Sequence, residues 1–175
     1  MIKLRINLIR HGEKRLFLPD PALTELGVSQ AEKLAQYLTT KQETKKTQYL
    51  ILSSPKKRTQ QTADILAKQL ALTVQIDDFL NIENVMPNTP ANKNKIIEHF
   101  KQYLREINDN SIDFLEIFAV THSQEIKNFW RILGGPEKAI KDVYECGMWS
   151  IELKDNKLDV NKGLNFLWTE GDLNP

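Results

Sequence analysis

Short apolar runs of alternating pattern take turns with longer stretches of helical period along this chain, and few folds accommodate that order. Leu4, Ile6 and Leu8 alternate with Arg5 and Asn7 before Ile9, which reads as a strand buried on both faces toward its end. Ala31, Leu34, Ala35 and Leu38 then follow the i, i+3, i+4, i+7 spacing of a buried helical face, with Thr24 as its N-cap. Tyr49 to Leu52 is a second strand, and Ala63, Leu66, Ala67 and Leu70 define a second helix with Pro55 in its first turn. A strand is expected at Thr73–Asp77, a loop from Phe79 to Asn94, and a helix carrying Ile96, Phe100, Leu104 and Ile107. Phe114 to Thr121 is the most apolar strand, which places it in the centre of a sheet. A helix with Ile126, Phe129, Trp130 and Leu133 follows and stops at Gly134-Gly135-Pro136. Met148 to Leu153 alternates as a last clear strand, and Phe166 to Trp168 is a segment able to dock on the body.

Strands alternating with helices predict a three-layer α/β/α sandwich with a mostly parallel sheet. At 175 residues, with no repeat or linker, the chain is expected to be one domain over 1–175, with 84–113 as a short cap insertion. The single cysteine, Cys146, can form no internal disulfide or cysteine-rich zinc site. The formal net charge of +1 argues against a nucleic-acid partner. No run approaches the roughly 18 apolar residues of a membrane span. Lys3 and Arg5 interrupt the first apolar stretch, so a cytoplasmic location without membrane association is expected.

Ligands of open α/β sheets bind beyond the carboxyl ends of the strands. Three expected strand ends carry polar clusters: Arg10-His11-Gly12, where the glycine permits a sharp turn, Ser53-Ser54-Pro55 followed by Arg58, and Thr121-His122-Ser123. Arginine presents a planar fork of donors that suits phosphate oxygens. A neutral imidazole is a nucleophile toward phosphorus near pH 7, and a second one can stabilise charge as a donor. Helices beginning just after Pro55 and Ser123 would aim free N–H groups at the same anion. His99 matches no such cluster and reads as structural, Glu13 as a cap of the turn after Gly12, and Ser53 as a phosphate-side or turn residue.

These residues resemble the histidine phosphatase superfamily, also called phosphoglycerate-mutase-like. The resemblance lies in Leu8-Ile9-Arg10-His11-Gly12-Glu13, in Leu23-Thr24-Glu25-Leu26-Gly27 through Ala31, in Ser53-Ser54-Pro55-Lys56-Lys57-Arg58 through Ala63, and in Val120-Thr121-His122. It implies that His11 accepts the phosphoryl group and that Arg10, Arg58 and His122, with Ser123 at the helix start, bind phosphate. It implies no metal and no cofactor. The family's proton donor is a glutamate shortly after the third strand. Asn81 stands there in this chain, and Glu83, two residues on, fills the role if the loop shifts. Where many members carry an asparagine past the Arg-His-Gly turn, this chain has Arg15-Leu16-Phe17. The short segment Asn84–Asp113 predicts an open site and a phosphorylated small molecule or phosphoprotein as substrate, as in compact members that act on phosphohistidine. The expected function is hydrolysis of phosphomonoesters or phosphohistidine. A pseudophosphatase that binds phosphorylated ligands and a phosphoglycerate mutase are the alternatives.

Overall fold

A parallel four-strand core flanked by helices positions everything that follows. The computed structural model describes residues 2–17, 19–41, 46–81, 86–107, 111–136, 140 and 142–153, and, as backbone, 154, 157–159 and 166–168. Its elements in chain order are β1 (Lys3–Arg10), α1 (Glu25–Lys41), β2 (Thr47–Ser53), α2 (Lys57–Leu70), β3 (Val74–Ile76), a 3-10 turn (Asp78–Leu80), α3 (Pro90–Arg105), β4 (Phe114–Thr121), α4 (Ser123–Leu133), β5 (Met148–Lys154), β6 (Lys157–Asp159) and β7 (Phe166–Trp168). The sheet order is β3-β2-β4-β1-β5-β6, with β7 also pairing β5. Strands β1 to β4 are parallel, and β5 to β7 join antiparallel.

The most apolar strand is central, as its composition demands: β4 lies between β1 and β2 and sends side chains to both faces. Leu115, Ile117 and Ala119 join Leu4, Ile6 and Leu8 in a core closed by Ile96 and Phe100 of α3 and by Ile126, Phe129 and Trp130 of α4. Phe118 and Val120 join Ile9 in the opposite core, closed by Leu34 and Leu38 of α1 and by Leu66 and Leu70 of α2. Trp149, Ile151 and Leu153 of β5 face the α3/α4 layer, and Met148 faces the other. No described helix is long and apolar enough to cross a membrane.

Two helix starts differ from the sequence reading. Helix α2 begins at Lys57, after Pro55, and its N-cap Lys56 contributes no side-chain cap. The Asp20 carboxylate caps it instead, accepting the Lys57 N–H at 3.1 and 3.2 Å. Helix α3 begins at Pro90, inside the expected loop. Thr89-Pro90 is an N-cap followed by an N1 proline, and Thr89 Oγ1 accepts the Asn92 N–H at 3.2 Å. Proline and asparagine next to each other look like breakers, but here they start a helix. Helix α1 is capped as its sequence suggests, with Thr24 Oγ1 accepting the Gly27 N–H at 3.0 Å.

Gly12 is required for close approach and not for a turn, since it has no positive φ. A Cβ there would collide with the Gly27 carbonyl oxygen, and one on Gly27 would collide with the Glu13 carbonyl oxygen. The segment after β1 and the first turn of α1 thus touch backbone to backbone. Gly27→Ala should therefore destabilise the fold by about 1–3 kcal/mol through overpacking against main chain. Chemical denaturation of the variant checks this, and an unchanged midpoint would contradict the contact.

Candidate active site

Backbone hydrogen bonds continue past the strands and hold three strand ends in register. The His11 N–H donates to the Thr121 carbonyl at 3.1 Å, and the Ser54 N–H to the Val120 carbonyl at 3.0 Å. His11, Ser54 and His122 are thereby fixed at one edge of the sheet. The two imidazole centroids lie 5.2 Å apart at 66°.

Arg58, in the first turn of α2, joins the two rings. Its Nε donates to His11 Nε2 at 3.2 Å, and its Nη2 lies 3.1 Å from His122 Nδ1. A guanidinium only donates, so both ring nitrogens are acceptors. The His11 proton therefore sits on Nδ1, which donates to the Gly12 carbonyl at 2.7 Å. The His122 proton sits on Nε2, which donates to Ser54 Oγ at 3.1 Å. The third guanidinium nitrogen, Nη1, lies 3.6 Å from the Asp20 carboxylate. Asp20 thus orients Arg58 and caps its helix at once.

Burial and the neighbouring cation make both rings neutral. Desolvation, then the charges of Arg58 and Arg10, push His11 down to about 4, against an opposing pull from its Gly12 hydrogen bond. Desolvation, Arg58 and the other imidazole push His122 down to about 3. His11 and His122 are only 4% and 3% exposed, and Arg58 hydrogen-bonds to both of them.

Arg10 is held from the far side. Its Nη1 donates to the Val143 carbonyl at 2.5 Å and its Nη2 pairs with Glu145, while Nε is buried without a partner among the described residues. Ser123 is half-buried at the first position of α4, directly after the N-cap His122. Glu83 lies outside the described residues. Asn81 follows the 3-10 turn with a buried Oδ1 that has no partner among the described residues. His99 is structural as expected, its Nε2 2.7 Å from Asp77 Oδ2 and its ring stacked on Phe79.

The polar residues of the motifs around His11 hold the loop after β1. Thr62 Oγ1 accepts the Gly12 N–H at 3.1 Å, and Gln30 Oε1 accepts the Glu13 N–H at 2.8 Å. Gln61 Oε1 accepts the Leu23 N–H at 2.8 Å, and Thr24 Oγ1 donates to the Glu13 carboxylate at 2.5 Å. Glu13 therefore ties the loop to α1. Sequence reasoning did not single out Ser54, Asp20, Glu145 or Glu125. Ser54 was within reach, standing in the same strand-end cluster as Ser53, whose own hydroxyl donates to the Ser54 carbonyl. Asp20, between two prolines, and Glu145 carry no local signal.

Parallel strands with helices on both faces, and an imidazole–guanidinium cluster at their carboxyl edge, define the phosphoglycerate-mutase-like class. The chain belongs to the histidine phosphatase superfamily (branch 1), whose sequence profile matches residues 6–116. No curated protein matches it by sequence. Among solved structures it is similar to mycobacterial hydrolase 1, at 18% identity and a TM-score of 0.65 over 90% of this chain and 97% of that one. It is also similar to a mutant of phosphoserine phosphatase from Entamoeba histolytica, in complex with phosphoserine, at 20% identity and 0.62 over 94% and 98%. A third is the protein histidine phosphatase SixA complexed with tungstate, at 19% identity and 0.61 over 94% of each chain.

Two neutral buried imidazoles make stability depend on pH. Their folded pKa values lie below the ordinary 6.5, so the unfolded chain binds protons that the folded chain refuses. This contribution is full above pH 6.5 and is lost as pH falls toward 4, at up to about 1.4 kcal/mol per pH unit for each ring. Urea unfolding between pH 7 and 4.5 should show that slope, and His122→Asn should flatten it. An unchanged slope in the variant would contradict a neutral buried His122.

Proposed function

We propose that the chain is a phosphatase that hydrolyses phosphomonoesters or phosphohistidine through a phosphorylated His11. The observation that carries this reading is the tautomer of His11: Nδ1 is tied to the Gly12 carbonyl, so the lone pair of Nε2 faces Arg58 and the second imidazole. That nitrogen is unprotonated at neutral pH and ready to attack phosphorus.

A phosphate group entering the cluster competes for the Arg58 N–H groups, and its capture by them releases the His11 lone pair. Nε2 then attacks phosphorus in line with the leaving group, the bond from phosphorus to the leaving atom breaks, and the leaving atom takes a proton. Arg58, the Nε–H of Arg10, the Nε2–H of His122 once it leaves Ser54 Oγ, and the first N–H groups of α4 at Ser123 stabilise the equatorial oxygens. Water next attacks the phosphohistidine, the P–N bond breaks, and inorganic phosphate leaves with His11 neutral again. The guanidinium groups supply the charge neutralisation that a metal gives in other phosphatases, so the reaction is metal-independent in this reading.

Phosphoserine in one structural neighbour and a protein-histidine phosphatase in another support both kinds of leaving group. His11→Ala should abolish turnover of an aryl phosphate and of phosphohistidine-bearing protein. Rapid quench of the wild type should trap acid-labile, alkali-stable phosphate on the chain. Arg58→Ala and His122→Ala should each lower kcat/KM by about 10²–10³. Turnover surviving in His11→Ala would remove the proposal, and tight phosphate binding without turnover in the wild type would favour a ligand-binding role.

A further inference from the structure

One buried acid beside this site has no task in the mechanism so far. Glu125 lies in the first turn of α4, three residues beyond His122, and is only 4% exposed. Both of its carboxylate oxygens are buried without a hydrogen-bond partner among the described residues. Among those residues it forms no capping-box bond and no ion pair, although its position in the helix would permit the first. A buried carboxyl left unsatisfied is costly to a fold, and such groups call for an explanation in function.

Its surroundings place it on the side of the chemistry. Glu125 and Arg58 lie close enough for the charge of each to act on the other. The Thr121 hydroxyl donates to the Leu80 carbonyl at 2.9 Å, which fastens the end of β4 to the end of the 3-10 turn. Asn81 and the start of α4 therefore emerge next to each other. Asn81 occupies the position where the family resemblance expects an acid, and an amide there has no carboxyl proton to give. On the α3 side, the His99–Asp77 pair stands behind Phe79, which stacks on His99 and on Phe129.

We propose that Glu125 is the proton donor to the leaving oxygen, the role having passed from the segment after β3 to the first turn of α4. The proposal rests on the phosphatase reading. In the first step the Glu125 carboxyl gives its proton to the oxygen released as the P–O bond breaks. In the second step the resulting carboxylate takes a proton from the water that attacks phosphohistidine, which restores the acid. Burial, against the weaker opposing effects of its own backbone N–H and of Arg58, pushes the carboxyl up to about 7, so it holds its proton in the range where His11 has lost its own.

Leaving-group dependence tests this without requiring a dead enzyme. An activated aryl phosphate such as 2,4-dinitrophenyl phosphate leaves without help, whereas phosphoserine needs its oxygen protonated. Glu125→Gln, close to isosteric, should lower the single-turnover rate of His11 phosphorylation by phosphoserine by about 10²–10³ and leave that by the dinitrophenyl ester within a few-fold, while dephosphorylation slows equally after either substrate. The fall in phosphoserine turnover above pH 7 should disappear in the variant, and Glu125→Asp should restore part of the phosphoserine rate. Equal losses in the phosphorylation rate with both substrates, or none, would overturn the proposal. So would the same leaving-group pattern arising in Glu83→Gln and not in Glu125→Gln. The phosphatase reading is judged separately, by whether the wild type and the Glu125→Gln variant still trap phosphate on His11.

Discussion

A single guanidinium hydrogen-bonded to two imidazoles is the interaction on which the site depends. Arg58 is always charged, so any proton on the facing nitrogens of His11 or His122 would be repelled as well as poorly solvated. The rings answer by staying neutral and by placing their hydrogens on the opposite nitrogens. One proton goes to the Gly12 carbonyl and the other to Ser54 Oγ. The same contact therefore sets charge state, tautomer and orientation together. In the proposed mechanism this makes His11 a nucleophile without any base to deprotonate it.

Such an arrangement has to be held against its own electrostatics, and the surrounding chain shows how. Asp20 meets Arg58 and also caps the helix that carries it, so the cation and the element beneath it share one anchor. Gly12 and Gly27 let the loop after β1 lie directly on the start of α1. Thr62, Gln30 and Gln61 then occupy the loop's backbone N–H groups. Each of these is a weak interaction taken alone. Together they leave the His11 backbone little freedom, as the proposed in-line attack requires, since its rate would depend on sub-ångström placement.

Much of this was legible in the sequence because the fold is written in local patterns. Alternating Leu4, Ile6 and Leu8, and the helical spacing of Ala31 to Leu38, report burial directly, and the apolar run Phe114–Thr121 reports the centre of the sheet. His11, Arg58 and His122 were legible because strand ends in a parallel sheet converge on one edge. What stayed hidden depends on contacts remote in sequence. Asp20 caps a helix 37 positions away, and nothing in Pro19-Asp20-Pro21 announces it. The role of Gly12 looked like a turn and is a close approach, a distinction that exists only when Gly27 is seen beside it. Helix α3 began earlier than expected because Thr89-Pro90 reads equally well as a break or as a cap. Glu125 carries no signal in the sequence, since only burial separates it from a solvated first-turn acid.

Charge is the remaining thread. A chain with a net charge of +1 offers no broad attraction for anions, so affinity for phosphate has to be local. Each guanidinium at the site has a carboxylate on its outer side, Asp20 for Arg58 and Glu145 for Arg10. These partners fix the cations in place while leaving donors free to turn inward, such as the Nε of Arg10, unpartnered among the described residues. In the proposed reaction a phosphate dianion entering the cluster meets cations already oriented and partly desolvated, and it displaces weak nitrogen acceptors in favour of charged oxygens. Recognition and activation are then one event: the donor that leaves His11 for the phosphate is the same one that had occupied its lone pair.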